Sequence, residues 1–275
     1  MTKTVTVSVN EFFGWKNHPF SDLADQNDEI MVKHDQEVLK RAVELLKIGK
    51  SFAITGGSGL GKTTLARAII KSLDPRNYQL LWVPYTGANR GGILRMLAEK
   101  TGIELTRKGL PPLAKLQKHI AVEQKDRGAP FPIIVVDDAQ HLENESLMDL
   151  CAMLISPEEN RTIMAIILVG DEMLDRTLRL TSQKAVSSRL ACVFKMKSLN
   201  QDDAKAMLNF RMEKAKAPGN LFDREAMELI TANCGGNRRE LMKLAFNLCM
   251  EAHLRTEKVI TSEMILSTEY MQANG

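Results

Sequence analysis

The sequence predicts a parallel α/β sheet of about five strands, built around a glycine-rich loop and followed by a small all-helical domain. Two observations carry this prediction. Up to residue 199, short runs of branched aliphatic residues alternate with helical patterns, which is typical of a parallel sheet. After Asn200 only helical patterns remain. We therefore expect an N-terminal aromatic segment over residues 1–34, the α/β domain over 35–199 and the helical domain over 200–275.

The expected strands and helices follow from hydrophobic periodicity and from the Gly, Pro, Asn and Asp residues that interrupt it. The predicted strands cover residues 52–54, 79–83, 133–136, 163–169 and 192–197. The predicted helices cover residues 35–48, 64–73, 93–100, 113–124, 146–155, 202–215, 223–233 and 238–254, with a last helix capped by Thr261.

A glycine-rich loop joins the first predicted strand to the following helix. Its sequence, Gly56-Gly57-Ser58-Gly59-Leu60-Gly61-Lys62-Thr63, matches the pattern G-x-x-x-x-G-K-[ST] at every fixed position. Backbone N–H groups and a helix N-terminus converge in such a loop, which suits the phosphates of a nucleoside triphosphate. We assign nucleotide binding to this loop and Thr64, phosphate contact to Lys62, and Mg²⁺ binding to the Thr63 hydroxyl.

Two carboxylates end the most apolar strand. Residues 133–136 are Ile, Ile, Val and Val, and Asp137 and Asp138 follow. Ligands of parallel sheets sit at this end of the strands. We expect Asp137 to share Mg²⁺ with Thr63, and Asp138 to orient the attacking water. A strand that merely ends in acids at a turn is the alternative.

The composition sets broad limits. The chain has 275 residues, of which 44% are hydrophobic and 26% charged, which is enough for an ordinary core. Residues 1–10 hold no apolar segment of a secretion signal, and the apolar run at residues 162–170 is too short to span a bilayer. The four cysteines form no C-x-x-C pair, so we expect reduced thiols and a cytoplasmic protein.

Charge is concentrated in one segment, although the formal net charge is only +3. Residues 90–118 hold seven Lys or Arg and two acids. A solvated basic surface and a phosphate-contacting face are both compatible with this pattern. In the second interpretation Arg90, Thr106, Arg107 and Lys108 are the DNA-binding loop tips.

The N-terminus is rich in aromatic residues, including Phe12, Phe13, Trp15 and Phe20. Two interpretations stay open. The rings pin the segment against a core, or they form a flap over a nucleotide base.

The ordered motifs resemble those of the AAA+ ATPases, and more closely the ExeA-like group, which is similar to transposition regulators of the TnsC/TniB kind. The resemblance rests on four stretches besides the loop, over roughly residues 11–265. These are Phe12-Phe13-Gly14 with His18-Pro19-Phe20, Asp138-Ala139-Gln140-His141-Leu142, Leu168-Val169-Gly170, and Gly235-Gly236-Asn237-Arg238-Arg239.

The resemblance implies further roles. Asp171 would be the polar sensor of the γ-phosphate, Arg189 an arginine finger that reaches a neighbour's nucleotide, and Arg239 a second sensor. The respective alternatives are an ordinary helix cap for Asp171, a surface charge for Arg189 and a structural ion pair for Arg239. ATP, rather than GTP, is also implied by the resemblance.

Three departures from the family pattern matter. Asp138 stands where Glu is usual, and its carboxylate reaches roughly 1–1.5 Å less far, so we expect slow hydrolysis. Asp171 stands where a neutral amide is usual, and an acid repels a γ-phosphate. As the third departure, we expect neither the membrane segment nor the extra domain that the secretion members carry.

The resulting hypothesis is an ATPase that assembles into a ring or helical filament on duplex DNA, with little sequence preference. It would regulate DNA transposition together with a transposase and a target-selection protein. Two alternatives stay open: a secretion-apparatus assembly ATPase, and a nucleotide-switched scaffold that barely hydrolyses ATP.

Overall fold

The computed structural model describes residues 7–21, 32–84, 90–105, 110–156 and 158–267. The chain divides into two compact units. The sheet unit comprises Lys33–Ser58 and Lys62–Met196. The helical unit comprises the described residues before Lys33, Gly59–Gly61, and the described residues from Lys197 onwards.

Five strands form one sheet in which every pairing is parallel. Their order across the sheet is β2-β3-β4-β1-β5, which brings the ends of β1, β3 and β4 to neighbouring positions. The predicted fold class is confirmed. The strands are β1 Ser51–Thr55, β2 Tyr78–Pro84, β3 Phe131–Asp137, β4 Ala165–Gly170 and β5 Leu190–Lys195.

Helices account for most of the remaining described residues. They are α1 Val9–Phe13, α2 Lys33–Lys47, α3 Lys62–Lys71, α4 Arg90–Lys100, α5 Pro112–Arg127, α6 Asn144–Ala152, α7 Glu172–Arg179, α8 Lys184–Ser187, α9 Gln201–Lys214, α10 Arg224–Asn233, α11 Arg238–Leu254 and α12 Ser262–Ser267.

Burial explains why the central strands are so apolar. Every residue of β4 is buried, and residues 133–136 of β3 are at most 1% exposed. A strand covered on both faces has no solvated side, so its sequence is a continuous aliphatic run. The polar groups are therefore confined to the strand ends, where the loops begin.

Side-chain caps define where several helices begin. Asp171, Asn200, Asp223 and Asn237 each accept a backbone N–H from the first turn of α7, α9, α10 and α11 respectively. Short Asn and Asp side chains satisfy N–H groups that the helix itself leaves unpaired. The sequence placed α10, α11 and the Thr261 cap of α12 correctly, and Met264 N–H donates to Thr261 Oγ1 at 3.3 Å.

Some boundaries differ from the sequence prediction. Helix α2 begins at Lys33, before the predicted start at residue 35, so Asp35 lies buried within its first turn. Arg90 is the first residue of α4 and not the end of a loop. Helix α6 ends at Ala152, because Ile155 pairs with Thr162 in an isolated antiparallel bridge. Hydrophobic periodicity does not detect such pairings.

The aromatic N-terminal segment packs within the helical unit. The Phe13 and Trp15 rings stack at 4.3 Å, and Phe20 lies 6.0 Å from Phe222. The Lys258 ammonium lies 3.9 Å from the centroid of Phe12, within cation–π range. These contacts agree with the interpretation in which rings pin the segment, and the flap over a base stays a prediction.

Three observations describe the membrane and redox character of the chain. In the described part, no helix combines the length and the apolarity needed to cross a bilayer. All four cysteines carry free thiols. Burial raises the pKa of the Cys151 thiol to about 12, so this thiol stays protonated and unreactive.

His18 is a titratable group within the aromatic cluster. Its ring lies 5.2 Å from Trp15 and 4.9 Å from Phe246, and its Nδ1 accepts the Phe20 N–H at 3.1 Å. Burial lowers the pKa of His18 from 6.5 to about 4. The folded protein therefore keeps His18 neutral at pH values where an unfolded chain protonates it.

We expect this histidine to make stability pH-dependent. Between pH 6.5 and about 4 the unfolded state binds more protons at His18, so the free energy of unfolding falls as the pH falls. His18→Asn keeps an acceptor for the Phe20 N–H and does not titrate. In this variant the free energy of unfolding should therefore change less steeply with pH between 6.5 and about 4. Urea unfolding followed by Trp15 fluorescence, in a Trp82→Phe background, measures both slopes. Equal slopes contradict the prediction.

Candidate nucleotide-binding site

The glycine-rich loop leads directly from a fully buried strand into a helix. Strand β1 ends at Thr55, residues 56–61 form the loop, and α3 begins at Lys62. Gly61 has φ +84°, a left-handed conformation that only glycine adopts without strain. The Lys62 ammonium donates to the Gly57 carbonyl at 2.8 Å, which folds the side chain back over the loop.

A hydrogen-bonded pair connects this loop to the end of β3. The Thr63 hydroxyl lies 3.2 and 3.1 Å from the two carboxylate oxygens of Asp137 and donates to them. The structure thus brings together the two residues that the sequence assigned to Mg²⁺. Their separation along the chain is 74 residues, so parallel pairing of the strands creates the contact.

Asp137 is half-buried, and its surroundings shift the pKa of its carboxyl group in opposite directions. Burial raises the pKa of its carboxyl group, and the neighbouring Asp138 adds to this, whereas the Thr63 hydrogen bond and the Arg67 charge lower it. The net pKa is raised. A cation beside this carboxylate would therefore compensate a charge that the protein only partly stabilises.

The donor set fits Mg²⁺. One hydroxyl and one carboxylate supply hard oxygen ligands, which is how Mg²⁺ is commonly held beside substrate phosphates. Thr63 and Asp137 are the residues that would bind it, and the ion would place positive charge next to phosphate oxygens.

Asp138 occupies a tight turn directly after β3. Its backbone is left-handed, with φ 53° and ψ 39°, and its N–H donates to Asp137 Oδ1 at 3.2 Å. The carboxylate is exposed and accepts a hydrogen bond from Gln140 Nε2 at 3.2 Å. Left-handed backbone at a non-glycine residue is uncommon and clusters at functional sites.

Asp171 lies after β4 and caps α7. Its Oδ1 accepts the N–H groups of Met173 at 2.7 Å and Leu174 at 3.4 Å. The structure therefore displays the helix-cap function that the sequence left open as the alternative to a phosphate sensor. The sensor role stays a prediction.

The remaining predicted site residues lie in different places. Arg189 is exposed, between α8 and β5, beside a groove formed with Glu145 and Met148. Arg239 is exposed in the first turn of α11. Within the helical unit its backbone N–H donates to Asn237 Oδ1 at 3.0 Å and to the Gly59 carbonyl at 3.3 Å.

The predicted DNA-binding residues are largely outside the described residues. Thr106, Arg107 and Lys108 fall in that category. Arg90 begins α4, but its side chain is not described. Their DNA-binding role stays a prediction.

Sequence reasoning missed two residues of this site. Gln140 contacts Asp138, and its position two residues after that acid was a usable signal. Arg67 lies one helical turn after Thr63, stacks over Trp82 with its guanidinium carbon 5.6 Å from the ring centroid, and lowers the pKa of Asp137. The i, i+4 spacing from Thr63 to Arg67 on α3 was the signal.

Comparison with known families agrees with this geometry. Residues 48–178 match the family model of an AAA domain, and this range includes the loop, Asp137 and Asp171. This match covers slightly less than half of the chain. Its boundaries contain strands β1 to β4 and the helices between them.

Two curated relatives match most of the chain. General secretion pathway protein A of Aeromonas hydrophila is 22% identical over 94% of this chain. DNA polymerase III subunit gamma of Buchnera aphidicola subsp. Schizaphis graminum is 23% identical over 84% of it. The chain spans only 47% and 58% of these two proteins, about half of their length.

Solved structures share the fold. Cdc6p of Pyrobaculum aerophilum aligns with a TM-score of 0.69 and 16% identity, over 88% of this chain and 67% of that one. The ORC1 protein of Aeropyrum pernix, solved in complex with DNA, gives 0.66 and 18%, over 89% and 66%. The RuvB Holliday junction branch migration motor of Thermotoga maritima gives 0.57 and 17%, over 86% and 68%. At these identities the likeness shows the fold alone.

The cap at Asp171 gives a stability prediction. Asp171→Ala should lower the free energy of unfolding by about 1 kcal/mol, because two N–H groups of α7 lose their acceptor. Asp171→Asn should stay close to the parent, since Asn caps helices equally well. Thermal and urea unfolding of the three proteins test this. An Asn variant as unstable as the Ala variant would contradict the capping argument.

Proposed function

We propose that this protein binds ATP with Mg²⁺ and hydrolyses it in an assembly of several copies on duplex DNA. The observation that carries the ATPase part is the contact between the Thr63 hydroxyl and both carboxylate oxygens of Asp137. This contact brings the Thr63 hydroxyl, the Asp137 carboxylate and the adjacent Asp138 to one edge of the sheet. The AAA domain match supports the same activity.

In the proposed reaction a water oxygen forms a bond to the γ-phosphorus, and the bond to the β–γ bridging oxygen breaks. ADP leaves with the electron pair of that bond. Asp138 orients the water and accepts its proton, which then passes to solvent. Lys62 supplies positive charge to the phosphates, and Thr63 and Asp137 hold the metal ion.

Assembly enters through Arg189. This residue is exposed beside a groove of about 350 Å³ whose lining includes Glu145, Met148 and Asp149. An exposed guanidinium among apolar and acidic groups suits a contact with a second copy, where it would stabilise charge on the transferring phosphoryl group. Hydrolysis would then depend on assembly.

DNA binding is proposed from charge. In the described part of residues 90–118, Arg95, Lys100 and Lys118 are exposed on α4 and α5. The structural similarity to the ORC1 protein solved with DNA supports a fold compatible with this role. Contacts to phosphates would give little sequence preference. We propose regulation of transposition from the order of the sequence motifs alone. A transposase and a target-selection protein would then be the partners.

A second candidate is an ATPase that assembles a secretion apparatus and has no DNA role. The match of 94% of this chain to General secretion pathway protein A favours it. A nucleotide-switched scaffold is the third candidate, favoured by the short side chain of Asp138. Four free cysteines support a reducing compartment, and we propose the cytoplasm.

A DNA-binding measurement separates the first candidate from the second. We expect a labelled random-sequence duplex to bind with a non-hydrolysable ATP analogue and not with ADP, as measured by fluorescence anisotropy. Affinity should fall about tenfold or more between 50 and 200 mM salt, because counterions are released from the phosphates. Lys62→Ala, which cannot hold the analogue, is the matched control. If protein that binds the analogue fails to bind the duplex at low salt, the proposed DNA role is overturned.

The reach of Asp138 gives a kinetic prediction. Asp138→Glu adds one methylene and should raise the hydrolysis rate, by as much as about 100-fold if positioning limits the parent. Phosphate release from ATP at saturating Mg²⁺ measures this, with Lys62→Ala as the background. A Glu variant no faster than the parent would show that side-chain length does not limit the rate.

A further inference from the structure

One glutamine connects the carboxyl ends of β3 and β4. Gln140 Nε2 donates to Asp138 Oδ1 at 3.2 Å, and Gln140 Oε1 accepts the Asp171 N–H at 3.2 Å. The partners fix the orientation of this amide, because an ionised carboxylate only accepts and a backbone N–H only donates. Gln140 sits in the one-turn 3₁₀ segment Ala139–His141, which follows Asp138.

The contact with Gln140 bears on the orientation of the Asp138 carboxylate. Among the described residues, Gln140 is the one side chain that donates a hydrogen bond to its carboxylate. The Asp138 side chain is otherwise exposed, at the end of a left-handed turn. A short, exposed carboxylate without a partner would sample several rotamers.

The neighbouring strand leaves room for the glutamine. A Cβ at Gly170, the last residue of β4, would lie 2.9 Å from Gln140 Oε1 and 2.6 Å from Leu174 Cδ2. Both distances are too short for a real Cβ contact. The glycine at the end of β4 therefore lets the amide lie against the strand.

Asp171 is already engaged as the cap of α7 through its Oδ1. Its backbone N–H, and not its carboxylate, is the group that meets Gln140. The amide of Gln140 thus supplies a neutral polar group between the two strand ends.

We propose that Gln140 is a positioning residue that holds the Asp138 carboxylate in the orientation needed for hydrolysis and sets its distance from the end of β4. This inference rests on the proposed ATPase function. It assigns Gln140 a role through Asp138 and no direct contact with the reacting atoms.

The test is a double-mutant cycle. Gln140→Leu keeps the bulk of the side chain and removes both hydrogen bonds. We expect it to lower kcat about 10- to 100-fold with little change in KM, because binding groups are untouched. In an Asp138→Ala background the same change should have no further effect, measured in single-turnover hydrolysis with thermal unfolding recorded for each protein.

Gln117→Leu is the matched control. Gln117 is a buried glutamine of the sheet unit whose amide donates to the carbonyls of Ala152 and Ile155, away from the loop. Its loss should reduce stability and leave kcat at the parent value. If Gln140→Leu unfolds, Gln140→Asn replaces it, since the shorter amide cannot reach both partners and should also lower kcat.

The outcomes are distinguishable. A parental kcat in a folded Gln140 variant overturns the inference alone, as does an equal fall in the Asp138→Ala background. A parent protein that hydrolyses ATP no faster than Lys62→Ala overturns the proposed function, and this inference falls with it.

Discussion

The hydrogen bond between Thr63 and Asp137 is the contact on which the site depends. It joins the helix that follows the phosphate loop to the end of β3, although β4 lies between β1 and β3 in the sheet. Parallel pairing makes this possible, because it brings the carboxyl ends of consecutive strands to one edge. Asp138 follows Asp137 directly, and Gln140 carries the connection on to β4.

The carboxylates of the site favour binding of a cation, because the neighbouring groups of the protein compensate only part of the charge on Asp137. Asp137 and Asp138 are consecutive carboxylates, and burial raises the pKa of the first. The Thr63 hydroxyl and the Arg67 charge offset only part of this effect. Arg67 also stacks over Trp82 of β2, so one arginine contacts the edge of the sheet and influences the acid. A divalent ion bound by Asp137 would offset the remaining unfavourable free energy of this partly buried charge. The hydroxyl and carboxylate oxygens present suit such an ion.

Local patterns in the sequence allowed the fold class and the loop to be predicted. The Thr63–Asp137 pair could be predicted because the loop motif and the acid that ends an aliphatic strand are each recognisable, although the two residues are 74 apart. Aliphatic runs identify buried strands, and the loop motif fixes which residues face the phosphates. The rest depends on contacts between distant residues. The end of α6 is set by the pairing of Ile155 with Thr162, and the role of Gln140 by its reach to Asp171. No periodicity encodes either contact. The resemblance suggested that Asp171 senses phosphate, whereas its cap contacts are visible only once α7 is in place.

Two requirements oppose each other at residue 138. The turn after β3 has left-handed backbone there, which Asp tolerates better than longer or branched side chains do, because its short polar group can hydrogen-bond locally. Reach toward a substrate favours Glu instead. The structure combines the residue that suits the turn with a glutamine that restrains its carboxylate. A hydrogen bond from Gln140 can compensate for the shorter reach of Asp138 only if the Gln140 side chain is itself held in place. The close approach of Gly170 and the N–H of Asp171 fix it here, so the turn, the glutamine and the end of β4 act as one constraint on the carboxylate.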